Sequence, residues 1–115
     1  MTKDLAKQKC MACSADANPV TAAEIAELKP AIPDWSMVEV EGIPRLVRQY
    51  SFKDFQTALD FTNQVGAIAE AEGHHPVLVT EWGKTKVSWW SHEMGGLHRN
   101  DFIMAAKTDA IAQRF

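Results

Sequence analysis

Imidazole is the one side chain that gives and takes a proton near neutrality, so the chain's chemistry is sought first at its four histidines. His74, His75, His92 and His98 all lie within the last 42 residues. His74 and His75 are adjacent, and Pro76 holds the backbone before it extended, so two rings emerge together at a junction rather than inside an element. Glu70 stands four residues before His74, one helical turn back, where a carboxylate can reach the histidine pair and fix a tautomer. Asp101 lies beyond Gly95-Gly96, where it could orient His92 or serve as a first-turn carboxylate favoured by a helix dipole. Each of these residues also has a bland role open to it: a hydrogen-bonded structural histidine, a solvated helix carboxylate.

Other candidates are weaker. Trp35 and Trp82 could stack on a flat heterocycle or pack in the core. Trp89 and Trp90 are neighbours in a strand, so they face opposite sides, and the outward one is expected at a subunit contact or against a ligand. Cys10-x-x-Cys13 has no strand before it, as a thioredoxin-type site requires, and a zinc site would need two further ligands. A metal module using Cys10, Cys13 and His98 is therefore a minor alternative, and no metal is expected. Gly95-Gly96 is isolated and matches no phosphate-binding loop.

The elements that must position these residues read α-β-β-α-β-β-α. Thr21-Ala-Ala-Glu24 is a capping box that starts a short helix with Ile25 and Leu28 on its apolar edge, ended by Pro30 and Pro33. Residues 35–40 and 43–50 form strands around a Glu41-Gly42 turn. Phe55, Leu59, Thr62, Val65 and Ala69 recur at helical spacing, predicting one buried face of a long helix stopped by Gly73. Residues 76–82 and 85–90 make a second hairpin, and the remainder to Phe115 is helical by pattern. The expected class is α+β, a four-stranded antiparallel sheet with helices packed on one face. Residues 1–18 read as a flexible arm and 19–115 as the single domain.

Composition limits the possibilities further. With 115 residues the chain fits one domain, and 46% hydrophobic with 23% charged residues is ordinary for a globular protein. A net charge of -3 argues against nucleic acid as partner, and there is no run of about 18 apolar residues to span a membrane. The polar start has no secretory h-region, so a cytoplasmic location is expected. So small a core gains from oligomerisation.

Glu70-x-x-x-His74-His75-Pro76, the aromatic Trp82, Ser91-His92-Glu93, then Gly96-Leu97 and Asp101, resemble the signature of the pterin-4a-carbinolamine dehydratases. The likeness runs without a gap from Glu70 to Asp101, and the element order suits that fold over about residues 19–115. Departures are Asp34 before Trp35 where glycine is common, Trp82 where tyrosine is frequent, and His98 where serine or threonine usually caps the last helix. The resemblance implies dehydration of a 4a-hydroxytetrahydropterin to the quinonoid dihydropterin, with no cofactor, recycling the tetrahydropterin of an aromatic amino acid hydroxylase such as phenylalanine hydroxylase. It implies a catalytic set of His74, His75 and His92, with His74 and His92 handling the protons. Glu70 and Asp101 would orient the imidazoles. His75, Pro76 and the chain around Ser91, Glu93 and Met94 would hold the pterin beside Trp35 and Trp82. It also implies a homodimer or homotetramer. The alternative reading is a non-enzymatic dimerisation or regulatory partner.

Overall fold

The computed structural model describes residues 5–8, 19–91 and 96–115. Helix α1 spans Ala22–Leu28, and Thr21 caps it in the expected box, each partner accepting the other's amide at 3.1 Å. A 3-10 turn at Lys29–Ala31 carries Pro30 and leads into the sheet, so the prolines redirect the chain through a tighter turn. Strands β1 (Ser36–Val40) and β2 (Ile43–Ser51) pair antiparallel around Glu41 and Gly42, both at positive φ as a tight primed turn requires. Helix α2 covers Phe55–Glu72, β3 Val77–Glu81, β4 Lys84–Trp89 and α3 Arg99–Ala112. The spatial order is β1-β2-β4-β3, antiparallel throughout.

Alternation along the strands decides which face is covered. Leu46 and Tyr50 on β2, with Thr85, Val87 and Trp89 on β4, are buried beneath the helices. Thr85 donates to the Ala58 carbonyl of α2, and Trp89 Nε1 donates to Thr108 of α3, so both long helices lie on this one face. The other face carries Val77, Val79, Lys84 and Lys86 in the open.

Two expectations are corrected. The buried stripe of α2 is Ala58, Phe61, Val65 and Ala69, while Phe55 is exposed and Leu59 half-buried. Both stripes satisfy the helical period, and aromatic packing chooses between them: the Phe61 ring sits 4.8 Å from that of Tyr50 and 5.1 Å from that of Phe52. Trp90 does turn away from Trp89, yet it is not an outward surface. It is 8% exposed, because the Arg45 guanidinium lies 3.9 Å over its ring.

Within the segment read as an arm, Leu5–Lys7 forms a 3-10 turn whose Leu5 joins the core. Lys107 Nζ donates to the Ala6 carbonyl and Arg99 to the Gln8 side chain, fastening that turn to α3. Cys10 and Cys13 lie outside the described residues.

The far half of α3 is fixed by one carboxylate. Asp109 Oδ1 accepts from Trp35 Nε1 at 2.9 Å, Arg48 at 2.8 Å and the Tyr50 hydroxyl. Burial, and then the bond to Asp109, push the Tyr50 phenol far above its ordinary range, so it remains a donor at any working pH. Asp109→Ala would leave an arginine and two aromatic donors without this acceptor, and should cost about 2–4 kcal/mol in urea unfolding. At the start of α2, the Thr57 hydroxyl and amide both donate to Asp54 and hold its carboxyl below the usual range. That stabilisation is complete above the unfolded carboxyl value near 3.9 and is lost as pH falls through the lower folded value. Asp54→Ala should therefore melt lower than the native chain at pH 7, and the gap should close in acid.

Candidate functional site

Helix α2 ends where Gly73 adopts φ 65° and returns its amide to the Ala69 and Glu70 carbonyls, a left-handed cap that only glycine makes cheaply. The chain leaves that cap extended, so the two next side chains diverge. His74 turns inward and His75 outward, 6% and 61% exposed. His75 Nε2 pairs with Glu70 Oε1 at 2.7 Å, one turn back on the helix, and both groups are open to solvent. The expected carboxylate–imidazole pairing at Glu70 is thus present, on the second histidine.

His74 has a different partner. Its Nε2 lies 2.6 Å from Oδ1 of Asp101, which is fully buried in the first turn of α3. Asp101, read as orienting His92 or as a first-turn carboxylate, does lie in the first turn of α3, and its Oδ1 is on His74 because the end of α2 and the start of α3 meet at one end of the sheet. The His74 ring is held flat against Trp89, with 5.7 Å between centroids and 7° between planes. A stacked imidazole whose nitrogen meets a carboxylate has neither rotational nor tautomeric freedom.

The second oxygen of Asp101 is also occupied. Ser91 Oγ donates to Oδ2 at 2.9 Å and the His98 amide at 2.8 Å. Ser91 in turn forms a bridge with Gly96, donating its amide to the Gly96 carbonyl at 2.8 Å. His98 is the N-cap of α3, its Nδ1 accepting the Asn100 amide at 3.0 Å. One buried carboxylate therefore gathers a histidine from the α2–β3 junction, a serine from the end of β4 and the cap of its own helix.

His92, Glu93 and Met94 lie outside the described residues. Pro76 is half-buried between His75 and β3. Trp35 is buried in the core with its indole on Asp109, two turns along α3 and about 12 Å from Asp101 by helical rise. Trp82 is 70% exposed in the β3–β4 turn, at the far end of β3 and about 20 Å of extended chain from Pro76. The fold brings His74, Asp101 and Ser91 together, keeps His75 and Glu70 adjacent, and does not bring Trp35 or Trp82 to them. Ser91, expected among the residues around the pterin, gives its hydroxyl to Asp101, and the Trp89 ring is the contribution that reading the sequence missed. The signal for Trp89 was its inward alternation beside an equally bulky neighbour. A broad cleft of about 880 Å³ opens elsewhere, between β2 and α3 along Arg48, Tyr50 and Asp109, and no described histidine lines it. Among the described residues no group of three metal-ligating side chains converges.

The sequence profile of the family described as Pterin 4 alpha carbinolamine dehydratase matches residues 18–111. A Gloeobacter violaceus protein bearing the pterin-4-alpha-carbinolamine dehydratase name is 64% identical over 109 residues, 95% of this chain and 94% of its own. A Microcystis aeruginosa protein of the same name is 59% identical over 94% of this chain and 93% of its own. Among solved structures, a transcriptional coactivator/pterin dehydratase from Brucella melitensis superposes with a TM-score of 0.73 at 34% identity, covering 83% of this chain and 99% of that one. A pterin dehydratase-like protein identified as a RuBisCO assembly factor in the alpha-carboxysome shares the fold, with a TM-score of 0.56 at 20% identity over 67% of this chain and 89% of that one. By profile, by relatives of high identity and by fold, this chain belongs to the pterin-4a-carbinolamine dehydratase family.

Proposed function

We propose that the chain dehydrates a 4a-hydroxytetrahydropterin to the quinonoid dihydropterin, with His74 and His92 moving the protons. The observation that carries this reading is the His74–Asp101 contact, 2.6 Å in a buried setting, on a histidine at the mouth of a helix–strand junction. The reaction breaks the C4a–O bond and removes the hydrogen on N5, leaving a C4a=N5 double bond and water. Hydroxide leaves poorly, so one imidazolium gives its proton to the departing oxygen while the second, neutral imidazole accepts the N5 proton. Each well-placed group contributes about 10²- to 10⁴-fold. Asp101 accepts from Nε2 of His74, so the proton exchanged with substrate is carried on Nδ1.

His92 follows Ser91 directly in the sequence, and Ser91 is bonded to Asp101. His75 and Pro76, with the chain around Ser91, Glu93 and Met94, hold the pterin, and Glu70 orients His75. The substrate's supplier would be an aromatic amino acid hydroxylase in the same compartment, the cytoplasm. Assembly into a homodimer or homotetramer is supported by the edge positions of β1 and β3, where Val38, Val77 and Val79 are exposed. No helix among the described residues is long and apolar enough to cross a membrane. The coactivator role named for the Brucella protein favours a second reading, a regulatory partner protein that uses the exposed sheet rather than the histidines.

Single-turnover dehydration of freshly generated carbinolamine separates these readings. His74→Ala and His92→Ala should each slow the step by about 10²-fold or more, and Asp101→Asn by about tenfold through lost orientation of His74. Native rates in both histidine variants would exclude the proton roles and leave the partner-protein reading.

A further inference from the structure

We propose that His98 is a positioning residue for the reaction: as a neutral imidazole it caps α3 and holds Asp101 on His74, so acid releases the catalytic histidine through the cap. This rests on the dehydratase reading above. The caps of α1 and α2 are oxygens, from Thr21 and Asp54, which accept an amide at neutral pH and on its acid side down to the carboxylate range. The cap of α3 is a ring nitrogen. Nδ1 of His98 accepts the Asn100 amide at 3.0 Å only while it carries no proton. The same residue gives its own amide to Asp101 Oδ2 at 2.8 Å, so ring and backbone form one reciprocal unit across the first turn.

His98 is 6% exposed, and Asn100 and Asp101 are fully buried, so water does not replace either bond. A proton on Nδ1 would point a donor at the Asn100 donor and set a cation at the positive end of a helix. The ring must then leave, and the turn that aims the Asp101 carboxylate leaves with it. Among the described residues, the charged groups around His98 do not reverse this. Asp101 has both oxygens occupied by His74, Ser91 and the His98 amide. Arg99, next on the helix, is spent on Gln8 of the N-terminal turn, where Lys7 is exposed. From the α2–β3 junction the facing group is His74 itself, and the Glu70–His75 pair lies in solvent.

The test compares the native chain with His98→Ser, which keeps an uncharged cap, and His98→Ala, which keeps none. kcat and KM for carbinolamine dehydration are followed from about pH 7.5 to about pH 5.5, with melting temperatures at each pH. At pH 7.5 His98→Ala should lose about tenfold in kcat with KM little changed, and His98→Ser should recover most of that loss. Toward pH 5.5 the native kcat should fall about fivefold further than that of His98→Ser, and its melting temperature should fall more. Superimposable native and His98→Ser pH profiles, or a folded His98→Ala variant with native kcat, would overturn the proposal. A native chain with no turnover at any pH would instead end the dehydratase reading. The cap would then be judged on melting alone, where parallel declines of the native chain and His98→Ser refute it.

Discussion

A carboxylate sealed from water must have donors on both oxygens or be expelled, and Asp101 obeys that constraint with three. Those donors come from three places in the chain: the turn after α2, the end of β4 and the residue that starts α3. Satisfying one charge therefore fixes where α2 ends relative to α3, and where the chain beyond Ser91 departs. His74 is the only ionisable donor of the three. The same bond that makes burial of Asp101 tolerable gives His74 its orientation.

Eight residues on, the same helix carries a second anchor of opposite logic. Asp101 in the first turn of α3 is favoured by the helix dipole, whereas Asp109 in the last turn is opposed by it and needs a cation. Arg48 supplies that cation from β2, flanked by the Tyr50 hydroxyl and the Trp35 indole. Helix α3 is thus tied to the sheet at both ends through side-chain charge, with Phe102, Ile103 and Met104 packed in the interval. A helix held that way does not slide, and a site whose parts sit about its first turn inherits that rigidity.

The sheet divides the molecule chemically. Its helix-covered face is closed by Trp89, Val87 and Leu46 and ends at the His74–Asp101 pair. The opposite face keeps lysines and valines in the open, with Arg45 folded over Trp90. The buried His74–Asp101 pair and the open Val77 and Val79 are thereby kept apart by the sheet.

Local rules were enough for everything that depends on neighbours in sequence. The Thr21–Glu24 box, the Glu41-Gly42 turn, the Gly73 stop and the α-β-β-α-β-β-α order are set by caps, glycine and periodicity, and Glu70 finds a histidine because both lie within one turn of a helix end. Ambiguity entered wherever two arrangements satisfied the same local pattern. Two stripes of α2 shared one period, and only the rings of Tyr50 and Phe52, brought near by β2, selected the one with Phe61. Trp89 and Trp90 alternate as strands demand, but a guanidinium from another strand decided that both are buried. Asp101 could have oriented His92 or served only as a first-turn carboxylate, and spacing along a chain does not reveal which helix end meets which. That choice belongs to the packing of α2 and α3 on one sheet face, where a buried charge accepts only the partners the fold brings within reach.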